Sequence, residues 1–188
     1  VNVIDYSLIS KALEYYKDIG YQYIEAPWIV DYKSISITLP VERLSQTLFD
    51  GYVIGSAEQS FIYLYKENKL KPGKYVAASP CFRDEAEDEW HSKTFFKVEL
   101  IIIHDHPSSE YEVKSLVSDA TVFFDFHSKK YHKNISLIKT NEGYDLNLNG
   151  IEVGSYGSRS VKIKNKKFYW SYGTGLAEPR FSMACQHK

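Results

Sequence analysis

Apolar and polar positions along the chain mark out a small set of elements. From Tyr6 to Ile19, Leu8, Ile9, Ala12, Leu13 and Tyr16 recur at helical spacing, and Gly20 supplies a stop. Tyr21–Glu25 reads as a strand closed by Pro27 and continued loosely through Trp28 to Val30. The stretch from Asp31 to Gly55 is mixed: Pro40 interrupts it, and a short helical piece is expected at Val41–Phe49. Glu58–Lys69 is expected to be helical, followed by a turn at Lys71-Pro72-Gly73. Tyr75–Phe82 and Thr94–His104 are the strongest strand candidates, and an acidic connection, 84–89, joins them. Ser108 or Ser109 caps a helix reaching about Phe126, with Val113, Leu116, Val117, Ala120 and Phe124 on one face.

Strands are then expected at Ile135–Thr140, Tyr144–Leu148, Ile151–Lys164 and Phe168–Tyr172. Asn149-Gly150 makes a tight hairpin between the second and third. After Tyr172 come a glycine-bearing turn and a short terminal helix from Arg180. Strands joined by hairpins with few intervening helices predict an α+β domain, an antiparallel sheet with helices on one side. Gly173-Thr174-Gly175 lacks the third glycine of a dinucleotide loop, and too little chain follows it for a βαβ unit. No internal repeat or low-complexity linker interrupts the pattern, so 1–188 is expected to form a single domain.

Composition narrows the class. The 188 residues suffice for one sizeable core, and 44% hydrophobic with 25% charged residues is an ordinary globular balance. Sixteen tyrosines and ten phenylalanines predict an aromatic core and pocket. A formal net charge of −1 gives no global positive field for gathering nucleic acid, and Lys162–Lys167 is the one local basic patch. No apolar run is long enough to span a bilayer and no signal peptide is apparent. The two cysteines, Cys81 and Cys185, have no metal-ligand spacing, so a cytoplasmic protein with reduced thiols is expected.

Three segments carry candidate chemistry. In Cys81-Phe82-Arg83-Asp84-Glu85, an arginine leaving a strand can grip a phosphate or carboxylate through two parallel hydrogen bonds. A carboxylate two positions on can accept from an amino group, and Phe95 on the facing strand offers a flat surface to a base. The plainer reading of this segment is a surface Arg83–Glu85 pair beside two core phenylalanines. In Gly173–Arg180, small residues allow close backbone approach to a ligand, and an arginine at a helix start can reach a phosphate. In Glu152-Val153-Gly154-Ser155, an acidic strand residue becomes a magnesium ligand only beside a phosphate.

Together and in this order the segments resemble the class II aminoacyl-tRNA synthetases, over nearly the whole chain. Tyr6–Pro27 is similar to the first signature motif, Arg83-x-Glu85 with His91, Phe95 and Glu99 to the second, and Gly175–Arg180 to the third. Ser56-Ala57-Glu58 is similar to the Thr-x-Glu loop of several members. Cys-Phe-Arg-x-Glu-Ala, Phe-x-Lys-Val-Glu-Leu, Glu-x-x-Ser and Gly-x-Gly-Leu-Ala-x-x-Arg stand nearest the seryl branch in wording.

The resemblance implies an enzyme that uses ATP and Mg2+ to turn an amino acid or similar acid into an acyl-adenylate. Arg83 would hold the α-phosphate and the substrate carboxylate, Glu85 the adenine amino group, and Phe95 the adenine ring. Arg180 would bind the γ-phosphate, His91 the outer phosphates, and Glu152, helped by Ser155, the magnesium ion. Glu58 and Glu99 would frame the amino-acid pocket. The acceptor would be a tRNA end, a carrier protein or an amine, and the first helix and strand would form a homodimer interface.

The sequence departs from the pattern in three places. No region remains for an anticodon-binding domain or a coiled-coil arm. The 84–89 loop carries Asp84, Glu85, Glu87, Asp88 and Glu89, which repel phosphates where the family approaches tRNA. Glu178-Pro179 precedes the third-motif arginine. Two alternatives therefore stand beside the enzyme: a non-catalytic paralogue acting as a binding or regulatory subunit, and an asparagine-synthetase-like amide ligase suggested by Glu152–Arg159. His104-Asp105-His106 has no third metal ligand in view and reads as a strand-end turn before Pro107. His127 and His132 read as solvated surface, and Lys162–Lys167 as an exposed hairpin tip.

Overall fold

A computed structural model describes residues 3–46, 49–84, 86–163 and 166–187. The chain runs α1 (Tyr6–Asp18), β1 (Gln22–Tyr23), β2 (Ile29–Val30), α2 (Tyr32–Ile35), β3 (Ser45–Gln46), β4 (Tyr52–Val53) and α3 (Ala57–Lys66). It continues through β5 (Gly73–Phe82), β6 (Thr94–His104), α4 (Glu110–Ser128), β7 (Ile135–Lys139) and β8 (Gly143–Leu148). β9 (Ile151–Ile163), β10 (Lys166–Glu178) and α5 (Arg180–Gln186) complete it. Seven strands form the main sheet in the order β1-β5-β6-β10-β9-β8-β7, and β2-β4-β3 form a small second sheet. Every pairing in the main sheet is antiparallel except the short parallel contact of β1 with β5.

The antiparallel α+β expectation holds, with one correction: helices cover both faces of the sheet. Period-2 alternation explains why. On β6, Val98, Leu100 and Ile102 enter one core with α1, α4 and α5, while Ile101 and Ile103 enter another under α3. A strand apolar on both sides needs cover on both sides. The first core is aromatic, as composition foretold: Tyr16, Phe123, Phe124, Tyr156 and Phe181 are all buried in it.

Local chemistry sets the helix starts. Ser56 begins α3: its hydroxyl accepts from the Glu58 N–H at 3.2 Å, and the Gln59 side chain reaches back to the Ser56 N–H at 3.0 Å. Ser109, not Ser108, begins α4 in the same way with Glu112. Asn149 and Gly150, with φ of 50° and 86°, make the hairpin between β8 and β9.

Two expectations fail here. Val41–Phe49 is no helix: Pro40 starts a single 3-10 turn at Val41–Arg43, after which β3 pairs with β4 and tertiary pairing wins. Residues 47 and 48 lie outside the described ones. Nor does the chain turn after Tyr172. β10 runs unbroken to Glu178, and its register against β6 slips between Thr174 and Leu176, so Gly175 is absorbed as a bulge. The tip of the β9–β10 hairpin, 164–165, also lies outside the described residues.

Leu116, on the core face of α4, is fully buried, so Leu116→Ala is expected to lower unfolding stability by about 2–5 kcal/mol. Ser109→Ala is expected to cost about 1 kcal/mol. Urea denaturation of each variant checks both.

Candidate active site

A cleft of about 330 Å³ opens where α3, β5, β6, β9, β10 and α5 converge. Among its buried charged groups is Glu99, 5% exposed, on the α3-facing side of β6. Glu99 accepts hydrogen bonds from the Ser56 hydroxyl (2.6 Å), the Ala57 N–H at the start of α3, and the Lys97 ammonium (2.9 Å). Burial pushes its pKa up, but Lys97 and the Ser56 and Ala57 donors outweigh this and hold the carboxyl below its ordinary value. It is an ionised group clamping a helix N-terminus.

Glu58, the second residue of α3, is likewise buried and fully engaged. Trp170 Nε1 donates to one oxygen at 2.6 Å and Arg159 to the other at 2.7 Å. Burial raises its pKa, and the Arg159 charge and the Trp170 hydrogen bond only partly offset that. Arg159 also lies 4.3 Å from the Tyr172 ring centre and 3.4 Å from Glu142. Arg159 and Trp170 are direct cross-strand partners on β9 and β10, so sheet register brings both to Glu58.

Around these acids stand the residues read from the sequence. Arg83 leaves β5 with its Nε donating to the Gly55 carbonyl at 2.9 Å and its guanidinium 5.1 Å from the Phe95 ring centre. Arg180, the first residue of α5, donates to the Trp90 carbonyl at 3.0 Å and lies 3.7 Å from Glu152. Glu152 and Ser155 both line the cleft although three residues apart. The β8–β9 register slips between Leu146 and Asn147, so Val153 and Tyr156 share the core face and Glu152 and Ser155 the other. A carboxylate and a hydroxyl offered from one side suit a magnesium ion, which keeps several waters and takes phosphate oxygens for the rest.

The cleft thus gathers Arg83, Phe95, Glu58, Glu99, Glu152, Ser155 and Arg180. It does not gather His91, which is turned onto Asp88 at 2.7 Å in the exposed loop. Glu85 lies outside the described residues. Within the acidic loop, Lys93 pairs with Asp84 at 2.9 Å and its N–H reaches Glu87. His127, read as solvated, packs instead on Phe123 with ring centres 4.4 Å apart.

The glycines of the third motif serve the core and not a ligand. A side chain at Gly173 would strike the Tyr156 ring (2.5 Å), and one at Gly175 the Tyr16 ring (2.7 Å). Tyr16 donates its hydroxyl to the Gly175 carbonyl at 2.9 Å, fastening α1 under the bulge. Thr174, between them, is the residue that faces the cleft. Sequence reasoning also assigned no role to Lys97, Arg159 or Trp170. Lys97 was within reach, since alternation puts it on the same face as Glu99. The other two depend on register, which no short motif encodes.

The chain is similar to the class II aminoacyl-tRNA synthetase core. Residues 56–137 match the family model for the tRNA synthetases class II core domain (F), and the fold agrees. A seryl-tRNA synthetase from Pyrococcus horikoshii, solved with ATP, superposes at a TM-score of 0.72 and 18% identity over 96% of this chain and 49% of its own. A pyrrolysyl-tRNA synthetase from Desulfitobacterium hafniense superposes at 0.71 and 13% identity, over 96% of this chain and 68% of its own.

In sequence, the chain is similar to serine–tRNA ligases. That of Picrophilus torridus is 30% identical over 92 residues, 44% of this chain and 21% of the ligase. That of Aster yellows witches'-broom phytoplasma is 32% identical over 127 residues, 58% of this chain and 30% of the ligase. The chain therefore spans under a third of the length of these relatives.

The Glu99 clamp has a pH signature. A carboxyl held below its unfolded value stabilises the fold fully above that value, about 4.3 for glutamate, and loses the contribution as pH falls through the lower folded value. Glu99→Gln is expected to cost about 3–5 kcal/mol at pH 7, because it strips a buried cation of its partner. The variant's stability should also fall less steeply than the parent's below pH 4.3. Urea midpoints measured from pH 7 to 3 check both.

Proposed function

We propose that this protein uses ATP to activate an amino acid, serine first among candidates, as an aminoacyl-adenylate. The observation that carries the reading is the convergence in one cleft of two arginines, a phenylalanine face and the Glu152–Ser155 oxygen pair, beside two buried glutamates. No protein nucleophile is needed. The substrate carboxylate attacks the α-phosphorus in line, and pyrophosphate leaves. Arg83 holds the α-phosphate and carboxylate in that geometry, Phe95 stacks on the adenine, and Arg180 takes the outer phosphates. Glu152 and Ser155 would hold a magnesium ion, which would supply neutralising charge to the phosphates. Glu99 and Glu58 face the amino-acid end, where a substrate ammonium competes with Lys97 and Arg159 for carboxylate oxygens.

Names of the relatives support transfer to a tRNA end. A carrier protein or small amine is the alternative acceptor. Exposed Tyr6, Tyr23, Trp28 and Ile29 on and after α1 support a homodimer. Among the described residues no helix is long and apolar enough to cross a membrane, and a cytoplasmic setting fits the two free thiols.

One observation favours a second reading. Every oxygen of Glu58 and Glu99 already has a protein donor, which suits a non-catalytic subunit that binds nucleotide alone.

Pyrophosphate exchange into ATP, run across the amino acids, separates the two. Serine-dependent exchange is expected, with Arg83→Ala and Arg180→Ala each lowering its rate by about 10²–10³-fold and a chelator abolishing it. ATP binding without exchange for any amino acid selects the second reading. Exchange with another amino acid retains the enzyme and replaces the substrate.

A further inference from the structure

Away from the cleft, the end of β6 and the start of α4 meet around His104, His106 and Glu112. The sequence offered the two histidines without a third partner. The fold supplies it, because α4 begins directly above the strand end. His104 Nδ1 lies 3.1 Å and His106 Nε2 3.7 Å from the same oxygen, Glu112 Oε1. One nitrogen from each ring and this oxygen all fall within 4.8 Å of one another. We propose that these three side chains form a site for a zinc-class divalent cation.

The geometry is the first argument. Zinc takes nitrogen and oxygen ligands at about 2.0–2.1 Å, so tetrahedral ligand atoms stand about 3.4 Å apart. The observed 3.1 and 3.7 Å bracket that value.

The outer contacts are the second argument. A metal-binding histidine ordinarily gives its other nitrogen to a hydrogen bond that fixes ring and tautomer. His106 Nδ1 lies 3.1 Å from the Pro107 carbonyl, which only accepts, so the proton sits on Nδ1 and Nε2 presents a lone pair. His104 Nε2 lies 3.0 Å from the Ser171 hydroxyl on β10, leaving Nδ1 toward Glu112. Glu112 is held in the same manner. Its other oxygen accepts from the Ser109 N–H (2.6 Å) and hydroxyl (3.0 Å) in the α4 cap, which aims Oε1 at the histidines. Each proposed ligand atom is thus positioned by a separate contact.

Burial and donor type set the class of ion. His104 is 7% exposed on the α4 side of β6, whereas His106 stays open to solvent. Two imidazoles and one carboxylate suit zinc, cobalt or nickel and not magnesium, which demands oxygen ligands. Three protein ligands leave a fourth position for water. Glu99 lies on the opposite face of β6, five residues or roughly 17 Å along the strand, so the site stands or falls apart from the adenylation reading.

Zinc titration of the metal-free full chain by calorimetry, with cobalt absorption as a coordination probe, tests the proposal. One zinc per chain is expected, not displaced by excess magnesium, with a tetrahedral cobalt spectrum. His106→Ala alters a solvent-exposed side chain, and Glu112→Gln keeps the cap donors paired. Each should weaken zinc binding by at least about ten-fold with circular dichroism unchanged, and the double variant should abolish it. Absence of zinc uptake by the parent overturns the site, and so does uptake that the double variant leaves unchanged.

Discussion

A buried carboxylate at the start of a helix organises this molecule. Taking Glu99 out of water is costly, and a charge in that position persists only with several donors around it. Ser56, Ala57 and Lys97 supply them. The same contacts fix α3 on β6, because two of the donors belong to the helix N-terminus. With α3 in place, Glu58 projects toward β9 and β10 and meets Arg159 and Trp170. The floor and one wall of the cleft follow from that single anchoring.

The opposite wall depends on bulges. An antiparallel strand alternates its side chains strictly, so Glu152 and Ser155 could not share a face without an extra residue between them. The slip opposite Leu146 provides it. A second slip at Gly175 sends Leu176 into the core and carries the chain to Arg180 at the start of α5. Tyr16 and Tyr156 brace this stretch from below, each donating its hydroxyl to a β10 carbonyl, Gly175 and Thr174. The aromatic richness of the sequence is spent on supporting the site as much as on filling the core.

Legibility in the sequence followed the range of the interactions. Local signals were read well: β6 at Thr94–His104, the start of α5 at Arg180, and the Asn149-Gly150 hairpin each show in the residue pattern of one short segment. Arg83, Phe95, Glu152 and Arg180, singled out from short motifs, line one cleft, and their roles there belong to the proposed function. What escaped was set across the sheet. Gly173 and Gly175 looked like ligand-facing glycines because nothing local announces the rings of Tyr16 and Tyr156 packed against them. Arg159 and Trp170 escaped for want of register. Glu112 falls inside the expected helix, and nothing local marks it as a neighbour of His104 and His106, since the approach of α4 to β6 is tertiary. Leu100–Ile103 is an uninterrupted apolar run that needs cover on both faces, and the single-sided arrangement expected from the order of strands and hairpins left it out of account.

On the proposed function, one cleft holds both halves of an acyl-adenylate. A crystal structure with a non-hydrolysable seryl-adenylate analogue tests it most directly. The adenine is expected on the Phe95 ring, the phosphate mimic against Arg83, and the ammonium of the seryl group among Glu58, Glu99 and their displaced cations. An analogue bound elsewhere, or one bound by its adenosine alone with Glu58 still closed onto Arg159 and Trp170, contradicts it.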